Sequence, residues 1–231
     1  MKGIAQLSVI PMRATPSDKA EMVSQVLYGE TFDVVEQTEK WSKIKLHHDS
    51  YEGWIDNKQF KWTKTKNKKE LSVATSLFEK IKKEDTTLIV PMGAVKEHSK
   101  PVRRSLLKTA LLFLNTPYLW GGRTFMGIDC SGFVQVIFRV HGIQLKRDAY
   151  QQAAQGKKIN FENSSTNDLA FFQNAEGRVI HVGIVLKEKN KTRIIHASGK
   201  VRIDILDEKG IFNEEAAMYT HQLHSIKRMV R

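Results

Sequence analysis

The residue best suited to covalent chemistry in this chain is Cys130, the only cysteine in 231 residues. It follows a glycine-bearing stretch, Tyr118-Leu119-Trp120-Gly121-Gly122-Arg123, and is flanked by Asp129 and Ser131. After it, apolar residues at 133, 136, 137 and 140 repeat at helical spacing, and Gly142 is a C-terminal stop signal. Cys130 is therefore expected in the first turn of a helix, where unpaired backbone N–H groups and the positive end of the dipole favour a thiolate. A lone cysteine can also pack as a small apolar residue. Two histidines favour the nucleophile: His181 and His196 lie in short, β-branched, strand-like runs at 179–186 and 193–199. A thiolate needs a base to share its proton and a third group to orient that base. His181 is read as the base and His196 as its orienting partner. If Cys130 and His181 form an ion pair, the thiol should titrate below the ~8.5 of free cysteine.

The elements that must position these groups divide the chain into three parts. Residues 1–62 read as a small all-β module, with strand-like runs at 3–10, 31–37, 41–47 and 53–55 separated by turn-rich pieces. Trp41 and Trp54 read as its core. Residues 63–100 are a connecting segment: a charge run at 64–70, a helical piece at 71–81 with apolar residues at 73, 74, 77, 78 and 81, then a strand at 86–91. This segment is either the remnant of a second small barrel or an elaborated connection. Residues 101–231 open with a helix from about Pro101 to Asn115, ended by Pro117. The nucleophile helix follows, then a short helix near 147–152 that carries Arg147 towards the cleft. Strands are expected at 168–173, 179–187, 192–198, 200–206 and near 220–230. Helices first and an antiparallel sheet afterwards argue an α+β fold.

Composition narrows the function. One cysteine excludes an internal disulfide framework and, with no CxxC, a thiolate-rich zinc site; no metal and no cofactor are expected. The formal charge of +12 would suit an anionic polymer, but the lysines are dispersed, densest at 61–69, and no nucleic-acid motif accompanies them. A basic face that draws in acidic peptides or wall polymers is the reading adopted, with no nucleic-acid partner. No apolar run approaches the ~20 residues of a membrane helix. No leader-like apolar segment follows Met1, and the lone thiol suits a reducing compartment. The expected location is cytoplasmic, with periplasm or secretion the alternative if a leader has been removed. A monomer is expected.

Pro117-Tyr118-Leu119-Trp120-Gly121-Gly122, Asp129-Cys130-Ser131-Gly132-Phe133, Asp168-Leu169-Ala170-Phe171-Phe172, His181-Val182-Gly183-Ile184 and Ile195-His196-Ala197-Ser198 resemble, in order and rough spacing, the successive motifs of the NlpC family and its p-sixty relatives. These are papain-like cysteine peptidases of peptidoglycan peptides, and the likeness covers residues 101–231. Arg13-Ala14-Thr15-Pro16, Leu27-Tyr28-Gly29-Glu30 and Tyr51-Glu52-Gly53-Trp54-Ile55 resemble features of bacterial SH3-like domains. The resemblance implies a papain-like domain preceded by a small SH3-like barrel. It also implies cleavage of the γ-D-glutamyl to L-diamino acid bond of stem peptides that carry a free N-terminal L-alanine. By motif, Tyr118 maps to an oxyanion donor, although it also reads as a core ring. Asp129 and Ser131 fit an ammonium pocket, and Asp129 equally reads as a helix N-cap. Glu21 and Tyr51 look like the groups that close this pocket, and Trp120 and Arg147 are counted among the substrate-binding residues. Where related enzymes carry a serine two residues after the arginine of the Arg147-Asp148 pair, this chain has Ala149. The alternatives are a wall hydrolase, an amidase or acyltransferase on the same scaffold, and a non-catalytic wall-binding module.

Overall fold

A computed structural model describes residues 1–64, 71–97 and 101–229. The chain forms two compact units. One comprises Met1–Arg103 with Trp120–Phe125, the other Arg104–Leu119 with Met126–Arg231.

The first unit is built on seven antiparallel strands: β1 (Lys2–Ala5), β2 (Val9–Arg13), β3 (Met22–Leu27), β4 (Thr31–Gln37), β5 (Trp41–Leu46), β6 (Glu52–Asp56) and β7 (Phe60–Trp62). They run in the order β3-β2-β6-β5-β4-β1-β7. The single expected strand over 3–10 is broken at 6–8 into β1 and β2. All seven strands contribute to one core: Ala5, Ile10, Met12, Val26, Phe32, Ile44, Leu46, Ile55 and Phe60. Both edge strands reaching the same cluster requires the sheet to curl on itself, as in a small barrel. Trp41 and Trp54 do not join that core and are only half-buried, contrary to expectation. The two-residue period explains this: Ser42, Ile44 and Leu46 of β5 and Gly53 and Ile55 of β6 point inward, so the tryptophans point outward.

Four further strands follow: β8 (Leu71–Val73), β9 (Phe78–Lys82), β10 (Thr87–Pro91) and β11 (Val95–Glu97). β9 pairs with β10 and β8 with β11. The helix expected over 71–81 is therefore two strands. Its helical spacing arose because Phe78 and Ile81 lie on opposite faces of one strand, Phe78 outward and Ile81 in a small core with Leu27, Ala74, Val90 and Ala94. The turn between β8 and β9 is fixed by Glu79, whose carboxylate accepts from the N–H of Thr75 at 2.8 Å. Leu27 and its neighbour Val26 point to opposite faces of β3, one into this core and one into the barrel. The charged run over 65–70, read as a linker, lies outside the described residues.

In the second unit, helix α1 (Leu106–Leu111) is shorter than expected. It is capped by the Ser105 hydroxyl and dissolves into i→i−3 turns that end at Asn115, where φ is +66°. The two-residue strands β12 (Arg123–Thr124), which belongs to the first unit, and β13 (Gly127–Ile128), which belongs to the second, come next in the chain, then helices α2 (Cys130–Val140) and α3 (Ala149–Ala153). The seven remaining strands are β14 (Lys157–Ile159), β15 (Leu169–Gln173), β16 (Val179–Lys187), β17 (Thr192–Ser198), β18 (Lys200–Leu206), β19 (Gly210–Asn213) and β20 (Met218–Arg228). Their order is β14-β20-β15-β16-β17-β18-β19, and β19 also pairs with β20, which closes six of them into a ring. Each of the six gives at least one side chain to a core of Ala170, Phe172, Val185, Ile194, Leu206, Ile211 and Ile226. With 47% of residues in strands against 11% in helices, the fold is α+β weighted strongly towards sheet. Among the described residues no helix is long and apolar enough to cross a membrane.

Candidate active site

Helix α2 carries one charge, Arg139, and every other residue in it is buried, so it runs through the interior of its unit. Phe133 meets Phe113 edge-on at 5.8 Å, and α2 packs on β16 and β17. Its N-terminus is capped by Asp129, whose Oδ1 accepts from the Gly132 N–H at 2.6 Å. At the other end the N–H of Ile143 reaches the Phe138 carbonyl and that of Gly142 reaches Arg139, with Gly142 at φ +79°. These paired bonds require the left-handed residue that glycine supplies. Cys130 thus occupies the first position of the helix, as expected.

The buried thiol accepts from the backbone N–H of Val182, the residue after His181, and from that of Ser131. Burial, reinforced by the Asp129 carboxylate, pushes the thiol up to about 12. Burial likewise holds the His181 imidazole well below its usual range, helped by the neighbouring imidazoles of His196 and His221. The depressed thiol expected from the helix terminus is therefore overturned: desolvation outweighs the N–H groups that favour the anion. Burial thus disfavours the thiolate and the imidazolium alike.

His181 Nε2 lies 2.8 Å from His196 Nδ1. The register explains this contact. Gly183, two residues along β16, sits opposite His196 on β17, so His181 and His196 are diagonal neighbours on one face. A Cβ on Gly183 would fall 2.6 Å from Ile194 Cδ1 and 2.8 Å from the Cβ of His196, so the glycine makes room for both residues of β17. Three further residues were not anticipated from sequence. His196 Nε2 lies 2.8 Å from Asp204 Oδ2 on β18, and Arg202 Nη2 donates to Asp204 Oδ1 at 2.9 Å. His221 of β20 stacks on His181 with ring centroids 4.2 Å apart and planes 27° apart. An aspartate between two isoleucines of a strand is disfavoured, and that was the available signal for Asp204. Burial holds His221 down to about 4, with the neighbouring His196 imidazole adding to the effect.

Tyr118 is half-buried, and its phenol is raised first by burial and then by the charges of Cys130 and Asp129. Arg147 is 1% exposed. Its Nη1 donates to Asp129 Oδ1 at 3.0 Å and to Ser131 Oγ at 2.9 Å, and Nη2 donates to Asp129 Oδ2. Asp129, Ser131 and Arg147 thus form one buried cluster under the helix start. Ala149 opens α3 and is itself buried. Two of the three remaining residues meet within the first unit: the Trp120 indole N–H donates to Glu21 Oε1 at 2.6 Å. Tyr51 packs, partly buried, against the barrel core. Among the described residues no cluster of His, Cys, Asp and Glu is arranged to hold a metal ion.

Residues 115–219 match the NlpC/P60 family and residues 12–60 the bacterial dipeptidyl-peptidase SH3 domain. A γ-D-glutamyl-L-lysine dipeptidyl-peptidase of Bacillus cereus is 25% identical, over 87% of this chain and 75% of its own. Dipeptidyl-peptidase 6 of Lysinibacillus sphaericus is 26% identical, over 90% and 93%. The crystal structure of an NlpC/P60 family protein from Bacillus cereus shares the fold, with a TM-score of 0.81, 20% identity and full coverage of both chains. Residues 115–219 are thus an NlpC/P60 domain, and a bacterial dipeptidyl-peptidase SH3 domain precedes it in sequence.

Proposed function

We propose that this protein is a cysteine peptidase that cleaves the γ-D-glutamyl to L-diamino acid bond of peptidoglycan-derived peptides, releasing a dipeptide from a free N-terminal L-alanine. The observation that carries the reading is a helix-terminal thiol that accepts a hydrogen bond from the backbone N–H of the residue after His181, with His196 2.8 Å behind that imidazole. The Cys130 Sγ–H proton passes to His181 while sulfur attacks the carbonyl carbon. The oxyanion is met by the first-turn N–H of Cys130 and the Tyr118 hydroxyl. Collapse breaks the C–N bond, and His181 returns its proton to the leaving amine. Water, deprotonated by His181, then opens the thioester and restores the thiol.

The substrate class is supported by relatives named for γ-D-glutamyl-L-lysine dipeptidyl-peptidase activity, one of them 40% identical over 37% of this chain. Asp129 caps α2 and pairs with Arg147, so its part in recognising the substrate ammonium is to complete a network, beside the hydroxyl of Ser131. The cytoplasm, where imported wall peptides are recycled, is the proposed location, and the monomer the proposed state. The test is incubation with L-Ala-γ-D-Glu-L-Lys and its diaminopimelate counterpart, each free and N-acetylated. L-Ala-D-Glu should appear from the free peptides only and should vanish in Cys130→Ala. Release that survives this substitution would sink the proposal.

A further inference from the structure

Asp204 stands outside the three-residue reaction scheme, yet the scheme works in only one arrangement of protons. His181 can take the thiol proton on Nδ1 only if its own proton sits on Nε2. The 2.8 Å contact between His181 Nε2 and His196 Nδ1 is equally short for either direction of donation. If His196 donates, His181 must carry its proton on Nδ1 and has no lone pair for the thiol.

The tie is broken one step further back. Asp204 is 5% exposed, and its Oδ2 lies 2.8 Å from His196 Nε2. Burial would raise its carboxyl, but the hydrogen bonds from His196 and Arg202 outweigh this and keep it below the usual range. Arg202 holds the carboxylate through Nη2, which donates to Oδ1 at 2.9 Å, while Nε lies 2.8 Å from Oδ2 without the geometry of a hydrogen bond, and Arg202 itself meets Glu215 at 3.2 Å. A carboxylate has no proton to give, so His196 must carry its proton on Nε2 and offer a lone pair at Nδ1. His181 must then donate from Nε2, which leaves Nδ1 open.

We propose that Asp204 is a positioning residue that sets the tautomers of His196 and His181 in series and so makes His181 a base towards Cys130. The placement follows from register: Asp204 is paired with Ile194 on β17, two residues before His196, so the two side chains are diagonal neighbours on one face. When His181 becomes an imidazolium, the same chain lets it lean on a fixed negative charge through His196. The inference rests on the reading of Cys130 and His181 as the reacting pair.

Two measurements test it. In the uniformly 15N-labelled protein at neutral pH, long-range 1H–15N spectra should show both His196 and His181 protonated on Nε2 with pyridine-like Nδ1. A His196 protonated on Nδ1 would overturn the proposal, and this readout needs no variant. In a folded Asp204→Asn protein, kcat should fall on the order of 10²-fold with KM within about threefold. The loss is set below the ~10⁴-fold seen where a carboxylate touches the catalytic imidazole directly, because Asp204 acts through His196. An unchanged kcat in that variant would equally refute it. Should the substitution prevent folding, the tautomer spectrum of the parent decides. Activity that survives Cys130→Ala would sink the peptidase scheme alone, since the tautomers of the resting protein are measured separately.

Discussion

Replacing Arg147 with methionine tests whether the cluster beneath the nucleophile is architecture. The guanidinium is almost fully buried and makes two bonds to Asp129 and one to Ser131. Methionine fills much of its volume but leaves the Asp129 carboxylate buried without its counter-charge. Removing one member of a buried pair costs about 3–5 kcal/mol. Asp129 keeps the Gly132 N–H at 2.6 Å and Ser131 Oγ at 3.3 Å, which puts the expected cost at the lower end, about 3 kcal/mol. For a chain of this size that corresponds to roughly 6–12 °C in the melting temperature of the second unit. The double variant Arg147→Met, Asp129→Asn keeps a capping side chain and removes the stranded charge, so it should recover about 1–2 kcal/mol. Urea denaturation of the parent, both single variants and the double variant closes the cycle. If Arg147→Met unfolds within ~0.5 kcal/mol of the parent, the range of an ordinary surface change, the cluster is not structural and the reasoning fails.

Two other outcomes follow from the charge states of the site. With the Cys130 thiol pushed up to about 12, iodoacetamide should alkylate the folded protein slowly at pH 6–8, whereas unfolding in urea should expose a thiol that reacts as free cysteine does; fast alkylation at pH 6 would mean a preformed ion pair. His221 is held neutral down to about 4 while in the unfolded chain it binds a proton near 6.5, so its contribution to stability is present above pH 6.5 and is lost as pH falls towards 4. His221→Phe, which keeps a ring against His181, should therefore lose less stability between pH 7 and pH 4 than the parent, as read from urea midpoints at each pH.

Much of this protein was legible in its sequence because the decisive patterns are local. The spacing of Phe133, Val136, Ile137 and Val140, with Gly142 as stop, needs only neighbouring residues to specify a helix that begins at Cys130. The β-branched runs around His181 and His196 likewise name their own strands. What the tertiary structure decided depends on register and burial, which neighbouring residues do not encode. Residues 71–81 carry a helical spacing, yet pairing of β9 with β10 and the docking of Ile81 on Leu27 make strands there. Asp204 reaches His196 only because β18 is aligned on β17 as it is, and His221 reaches His181 from a strand that closes the ring. The thiol illustrates the limit most clearly: the helix terminus, visible in sequence, argues for a lowered pKa, and the depth at which the fold buries Cys130 reverses the sign.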